Sequence, residues 1–343
     1  MKTLTAYDIL NIDGAIYYVC NEFNALIKYE NTDQHELVSD IPDEGIYAQA
    51  LVSQIFCVDK RIILIPLNAK KIWIYHLEQK MWKGIEIENP DCDYKFLKAV
   101  KFENKIYLLP SRYRKIVVLD VVSNEIEYID IRKGMDNKIG GVYFRNDIVI
   151  HGSIIYAAYC SGGYVFKFDM SNLKYKWIEI VPESDGFSGI AYAEDKFWLS
   201  ARNDSRKIYV WDGNAICKEI IIESEKKAYS RGIYIIDKKI YVKKENKTLV
   251  IDINDLNKIS ERNVSYIYVK KAKEGEEYLT YDGEYICCLE EMTKSVKLVI
   301  EEKDREKFIK ERITTRDAEY FMNRGIVQEK RDFDLSDFLI LMS

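Results

Sequence analysis

The sequence is sparing with the residues that interrupt regular structure. It has 5 prolines and 16 glycines in 343 positions, which excludes collagen-like and proline-rich classes. It also lacks a basic excess: 51 Lys and Arg stand against 56 Asp and Glu, for a formal net charge of −5. Proteins that coat DNA or RNA carry surplus positive charge to displace counterions, so no nucleic-acid partner is expected. No apolar run reaches the roughly 18 residues of a membrane-spanning helix, and no membrane role is expected. Asp8 and Asp13 interrupt the stretch where the apolar core of a secretory signal would run. The seven cysteines are scattered and form no C-x-x-C pair, which fits the reduced thiols of a cytoplasmic protein better than a disulfide frame or a zinc site. The three histidines, His35, His76 and His151, fall in different parts of the chain, so no metal is expected. There is no G-x-S-x-G elbow and no glycine-rich phosphate loop leading into a helix. No catalytic residue can be named, and no cofactor is expected.

What the chain has in abundance is apolar and aromatic residues, 48% and 13% of the total, enough for a full core. They come in short runs that recur. A turn of Asp, Asn, Glu, Gly or Lys is followed by a β-branched or aromatic run at Ile16, Ile62, Ile106, Ile155, Phe197, Ile240 and Tyr285, with steps of 42 to 49 residues. A second feature keeps step with the first. His76, Asp120, Asp169, Asp212 and Asp252 each end another apolar run 12 to 15 residues after the anchor. Further runs flank each pair, giving four strand candidates per repeat.

A period near 45 also suits helical repeats. The chemistry decides against them. The runs are short, rich in Ile, Val, Tyr and Trp, and bounded by hairpin-type turns. Runs such as Ile106-Tyr107-Leu108-Leu109 are apolar at successive positions, as in strands covered on both faces. Four antiparallel strands every 45 or so residues make the blade of a β-propeller. The expected fold is therefore all-β: a seven-bladed β-propeller over residues 1–301, with 302–343 as a C-terminal segment packed on or closing the ring. Asp304–Met322 reads as an amphipathic helix, and 334–342 as a short helix or closing strand. The outer strand of blade seven is expected to come from that segment or to be absent. The Asp ending each third strand is expected to accept backbone N–H groups in the next turn.

Ile74-Tyr75-His76-Leu77-Glu78-Gln79-Lys80-Met81-Trp82, and Phe168-Asp169 followed by Trp177, resemble the outer half of a kelch-type repeat. The likeness extends loosely over residues 5–300. Only one double glycine, Gly162-Gly163, matches the kelch pattern. The resemblance implies a propeller of a kind that mostly binds proteins or glycans and is in a few cases an enzyme.

Topology says where a ligand would meet such a ring. In a four-stranded blade, the loop between strands two and three opens on the same face as the connection between blades. That face collects Arg112, Tyr113 and Arg114, then Arg202 and Asn203, with Phe187 from a connection and Arg145 and Arg231 from early inner strands. Guanidinium forks beside aromatic rings suit carboxylates, phosphates or sugar faces. The expected function is a non-catalytic interaction module that recognises a protein or glycan through this face. The alternative is a lyase, epimerase or hydrolase acting on a sugar or acidic small molecule at the channel mouth. A scaffold that docks through residues 302–343 is a third reading. The oligomeric state stays open.

Overall fold

The computed structural model describes residues 2–30, 34–132, 141–145, 147–223, 225–272, 275–281, 283–289 and 292–323. Residues 3–299 form one unit, and within it the chain builds seven antiparallel sheets of four strands, each sheet using strands in their sequence order. Blade one runs from Leu10–Ile12 to Gln34–Ser39, blade two from Val52–Val58 to Met81–Glu86, and blade three from Phe96–Phe102 to Ile126–Asp130. Blade four runs from Ile148–His151 to Lys174–Glu179, blade five from Phe187–Ala193 to Ile216–Ile221, blade six from Gly232–Ile236 to Ile259–Arg262, and blade seven from Tyr266–Ala272 to Met292–Lys297. This is a seven-bladed β-propeller. First strands of neighbouring blades touch one another, so they line the axis. Fourth strands, such as Met81–Glu86, are largely exposed on the rim.

The hairpin signals of the sequence become tight turns. Successive residues with positive φ, at Asp59 and Lys60 (48° and 59°), Glu194 and Asp195 (51° and 56°), and Asp237 and Lys238 (46° and 62°), join first strands to second strands. Such turns match the right-handed twist of paired strands. At the third-to-fourth strand turns, Asp120 Oδ1 accepts from Val122 N (2.8 Å) and Ser123 N (3.0 Å), and Asp212 Oδ1 from Asn214 N (2.8 Å) and Ala215 N (2.9 Å). Asp169 and Asp252 cap their turns in the same way.

The core lies between blades. Ile63, Ile65 and Ile74 of blade two pack against Ile106, Leu108 and Val117 of blade three. Equivalent layers join blade one to two, three to four, four to five, five to six, and six to seven. Second and third strands are therefore buried on both faces, the reason their sequences run apolar without alternation. Each such Ile or Leu contributes roughly 1.5–3 kcal/mol of burial.

Blade seven is completed by Met292–Lys297, ahead of the C-terminal segment, so its outer strand is neither missing nor borrowed. Closure falls to the chain ends of the unit. Leu4 N donates to Leu298 O at 2.8 Å, both residues are fully buried, and a Cβ on Gly283 would lie 2.0 Å from Leu4 O.

The other unit holds the helix Glu302–Asn323, in which Phe308 and Ile309 are buried and Ile313 is exposed. The stretch 334–342 lies outside the described residues. No helix among the described residues is long and apolar enough to cross a membrane.

Candidate functional site

On the face where the first strands begin, the backbone forms a belt of hydrogen bonds from loop to loop. Lys95 N donates to Leu67 O (2.9 Å), Ser111 N to Lys95 O (2.7 Å), Tyr143 N to Ser111 O (2.7 Å) and Cys160 N to Tyr143 O (2.8 Å). Further round, Phe187 N donates to Tyr159 O (2.9 Å), Arg202 N to Gly186 O (2.9 Å) and Ser230 N to Arg202 O (2.9 Å). Each link ties a loop between second and third strands to a connection between blades. The loops are thereby held as a rigid rim.

Four of the arginines singled out by topology sit on or beside this belt and line a single cavity of about 610 Å³: Arg112, Arg145, Arg202 and Arg231. They come from blades three, four, five and six. Arg112 stacks over the Tyr94 ring (5.3 Å to the centroid) and Arg231 over Tyr281 (5.1 Å). Arg231 also pairs with Glu245 at 3.2 Å, the one carboxylate on the cavity wall among the described residues. Arg202 Nη1 donates to Cys160 O at 2.7 Å, and its Nε is buried with no partner among the described residues.

Beneath them lies Cys160, fully buried. Burial pushes its thiol up to about 11, even though Arg145 and Arg202 both pull the other way. The thiol stays protonated and apolar at neutral pH. Tyr7 is pushed up to about 12, chiefly by burial and then by the phenols of Tyr94 and Tyr281, with Arg231 opposing. The wall thus sets guanidiniums beside a Tyr7 phenol that keeps its proton at neutral pH. Serine hydroxyls brace the floor: Ser188 Oγ lies 2.7 Å from Ser200 Oγ and 2.7 Å from Ser230 Oγ, linking blades five and six.

The other named residues lie elsewhere. Tyr113 is buried against Phe96, at 4.8 Å between ring centroids, and its hydroxyl donates to Glu88 O. Phe187 is buried in the layer between blades four and five. Arg114 is exposed with φ of 77°, and Asn203 is half-buried; neither lines the cavity. The wall also contains Tyr7, Tyr229, Glu245 and Tyr281, which sequence reasoning missed. The signal for Glu245 and Tyr281 was available: both occupy the loop between second and third strands in blades six and seven, equivalent to Arg112 and Arg202.

The axis below holds a second charged feature. Asp8, just ahead of Leu10–Ile12, accepts through Oδ2 from Ile55 N (3.1 Å), and Gln54 Oε1 accepts from Ala99 N (2.8 Å), tying blade one to two and blade two to three. Asp147 Oδ2 accepts from Ile233 N (2.9 Å), reaching from blade four to blade six. Its Oδ1 accepts from Lys243 Nζ (3.1 Å), which also donates to Tyr234 Oη (2.6 Å). Burial pushes the Tyr234 phenol well above its usual range, with the Asp147 carboxylate adding to the effect. The three histidines are on separate blades or strands: His35 ends up beside Tyr18 (3.0 Å from its hydroxyl), His76 closes a third strand of blade two, and His151 meets Tyr192 edge-on at 4.1 Å.

No family model matches the chain, and no curated protein matches it in sequence. Similar solved structures exist in number. A streptogramin B lyase is 14% identical with a TM-score of 0.60, covering 82% of this chain and 92% of its own. BamB from Moraxella catarrhalis is 13% identical with a TM-score of 0.56, over 80% and 81%. The WD40 domain of Neurospora crassa Pan2 is 11% identical with a TM-score of 0.51, over 80% and 86%. At these identities the likeness is one of fold: the chain is a β-propeller, similar in architecture to a lyase and to a WD40 domain alike.

Proposed function

We propose that the protein is a non-catalytic recognition module that binds an acidic segment of a partner protein at the arginine-lined mouth. One observation carries this reading: four guanidiniums from four blades face a single cavity whose wall has one carboxylate among the described residues. The surplus positive charge is local, in a chain whose formal net charge is −5. Such a site attracts anions by field as well as by contact. The rim is fixed by backbone hydrogen bonds, so little ordering cost opposes binding.

Two further features favour recognition of protein over the other readings. Neutral sugars gain nothing from net charge, whereas the wall sets four guanidiniums against Glu245 as its one carboxylate among the described residues. An enzyme at this mouth would need a proton donor or acceptor that titrates near neutrality. Here the guanidiniums remain charged, Tyr7 holds its proton to about pH 12, and Glu245 is committed to Arg231.

The kelch-like reading of the repeat belongs to the same proposal. It is supported by Tyr75 packed on Trp82 (4.8 Å) and Phe166 on Trp177 (4.7 Å), which place the repeat's outer aromatics in the inter-blade layers. A reducing, cytoplasmic setting is supported by free thiols at Cys20, Cys57, Cys92, Cys160 and Cys217. The test is affinity capture with the full chain, followed by the triple variant Arg112→Gln, Arg202→Gln, Arg231→Gln. A partner held through the mouth is lost from the triple variant and is released from the parent by salt. A partner retained undiminished by the variant removes this face from consideration.

A further inference from the structure

The same cavity has features that distinguish between anions. We propose that the group it selects is a phosphoryl dianion, carried on a phosphorylated side chain of the partner; this rests on the reading of the mouth as an acid-binding site.

Charge is the first argument. Four guanidiniums against Glu245 leave a surplus of three positive charges on the wall. A carboxylate supplies one negative charge, whereas a phosphate monoester supplies about 1.5 to 2 at neutral pH.

Direction is the second. A carboxylate is planar, and its two oxygens are satisfied by one or two forks. A phosphoryl group points three terminal oxygens in different directions, each able to accept more than one hydrogen bond. Arg112, Arg145, Arg202 and Arg231 come from four separate points of the ring and line one cavity, so the wall offers more forks than a single carboxylate can use.

The third argument is the residue type and its presentation. No lysine is on the wall among the described residues. Arginine is the cation whose fork matches phosphate oxygens in pairs. The faces of Arg112 and Arg231 are already covered by Tyr94 and Tyr281; Arg231 is also held by Glu245, and Arg112 keeps its N–H edge for a ligand. Arg202 is anchored through Nη1 to Cys160 O, while its buried Nε has no acceptor among the described residues. The Nη1 bond fixes the Arg202 side chain against the cavity wall. The volume of about 610 Å³ suits one side chain and its ester, not a folded domain.

The experiment is calorimetric titration of the full chain with three short, end-blocked peptides of one sequence, carrying phosphoserine, glutamate or serine at the centre. Inorganic phosphate and a glucuronate oligosaccharide serve as further probes. The phosphopeptide is expected to bind at least about tenfold more tightly than the glutamate peptide, a difference of about 1.4 kcal/mol. Its affinity is expected to rise as the second phosphate proton leaves near pH 6. Arg112→Gln should weaken it by about tenfold, and Lys83→Gln, on the exposed last strand of blade two, should not. Arg202→Lys keeps a cation but removes the fork, and should reduce selectivity for phosphate over glutamate even where total affinity survives; circular dichroism and the melting temperature check that each variant is folded. Equal affinity for phosphoserine and glutamate peptides overturns the phosphoryl proposal and leaves acid recognition standing. Binding of the oligosaccharide but of no peptide overturns both, as does binding of no acidic probe. Phosphate bound as tightly as the phosphopeptide reassigns the ligand to a free phosphate ester and overturns the partner side chain as its carrier.

Discussion

Asp147 and Lys243 meet at 3.1 Å on the propeller axis, each 1% exposed, although they belong to blades four and six. The blade between them makes room by lacking a side chain: a Cβ on Gly189 would lie 2.8 Å from Asp147 Oδ2. A carboxylate and an ammonium taken this far from water stabilise the fold only as a complete set. Here the set is complete, with Ile233 N and Tyr234 Oη supplying the remaining contacts.

Breaking that pair from one side should be severe. Lys243→Met leaves a buried carboxylate short of its cation and should lower stability by about 3–5 kcal/mol. The double variant Asp147→Leu, Lys243→Met should be less destabilised than the single one. Urea denaturation of both variants checks this, and a double variant worse than the single would contradict it.

Gly232 is required for the same construction. Its φ of 146° lies outside the range of residues with a Cβ, and a Cβ there would fall 1.7 Å from Asp147 Oδ2. Gly232→Ala should cost at least about 2–3 kcal/mol, combining backbone strain with displacement of the carboxylate. Gly213→Ala is the control: it also has positive φ (102°), but no atom lies within 4 Å of the added Cβ. It should pay only for its backbone, and the gap between the two melting temperatures isolates the clash.

The turn aspartates predict a sign for acid sensitivity. Backbone N–H groups of Ser123 and Val122 hold the Asp120 carboxyl below its usual range. A carboxyl whose pKa is lower folded than unfolded contributes stability above the unfolded value, about 3.9, and loses it as pH falls through the folded value. Asp120→Ala should therefore be less stable than the parent at pH 7, by about 0.5–1.5 kcal/mol. The difference should shrink progressively below about pH 4. Denaturation midpoints across roughly pH 2.5–7 decide it; a gap that widens in acid would refute the assignment.

Thiol reactivity should follow burial. At about pH 8, near the ordinary thiol range, a small alkylating agent should label the exposed Cys57 and Cys217 in the native protein and spare Cys160, whose thiol is buried and pushed up to about 11. Cys20, buried and hydrogen-bonded to Glu22 at 3.0 Å, should also be spared. Peptide mapping by mass spectrometry reads the pattern. Early labelling of Cys160 would show that the floor of the arginine cavity opens.

The ring and its count were legible in the sequence because every blade repeats one local code. The turn before Ile62 or Ile240, the doubly apolar runs, and the aspartate closing the third strand each act within about 15 residues. The site was half legible. The rule that loops between second and third strands share a face with the blade connections located Arg112 and Arg202; Arg145 and Arg231, expected early in inner strands, lie ahead of Ile148–His151 and Gly232–Ile236, in the connections. The rule could not tell which neighbours point inward: Tyr113, one residue from Arg112, turns into the core to stack on Phe96. Pairings across the ring, such as Asp147 with Lys243, join positions 96 residues apart in sequence, and no periodic signal marks them.

Every sheet in the ring is made from one uninterrupted stretch of chain, and the circle is joined where Leu4 meets Leu298. Propellers that build one blade from both ends of the chain are locked by that exchange; here the ends pair outside the seven blades, in a two-stranded sheet of Lys2–Thr3 with Val299–Ile300 and in the bond from Leu4 N to Leu298 O. Any inter-sheet connection could therefore serve as the point of entry for a circularly permuted gene, and whole modules could be duplicated or removed without splitting a sheet. The architecture keeps the unit of heredity and the unit of structure the same.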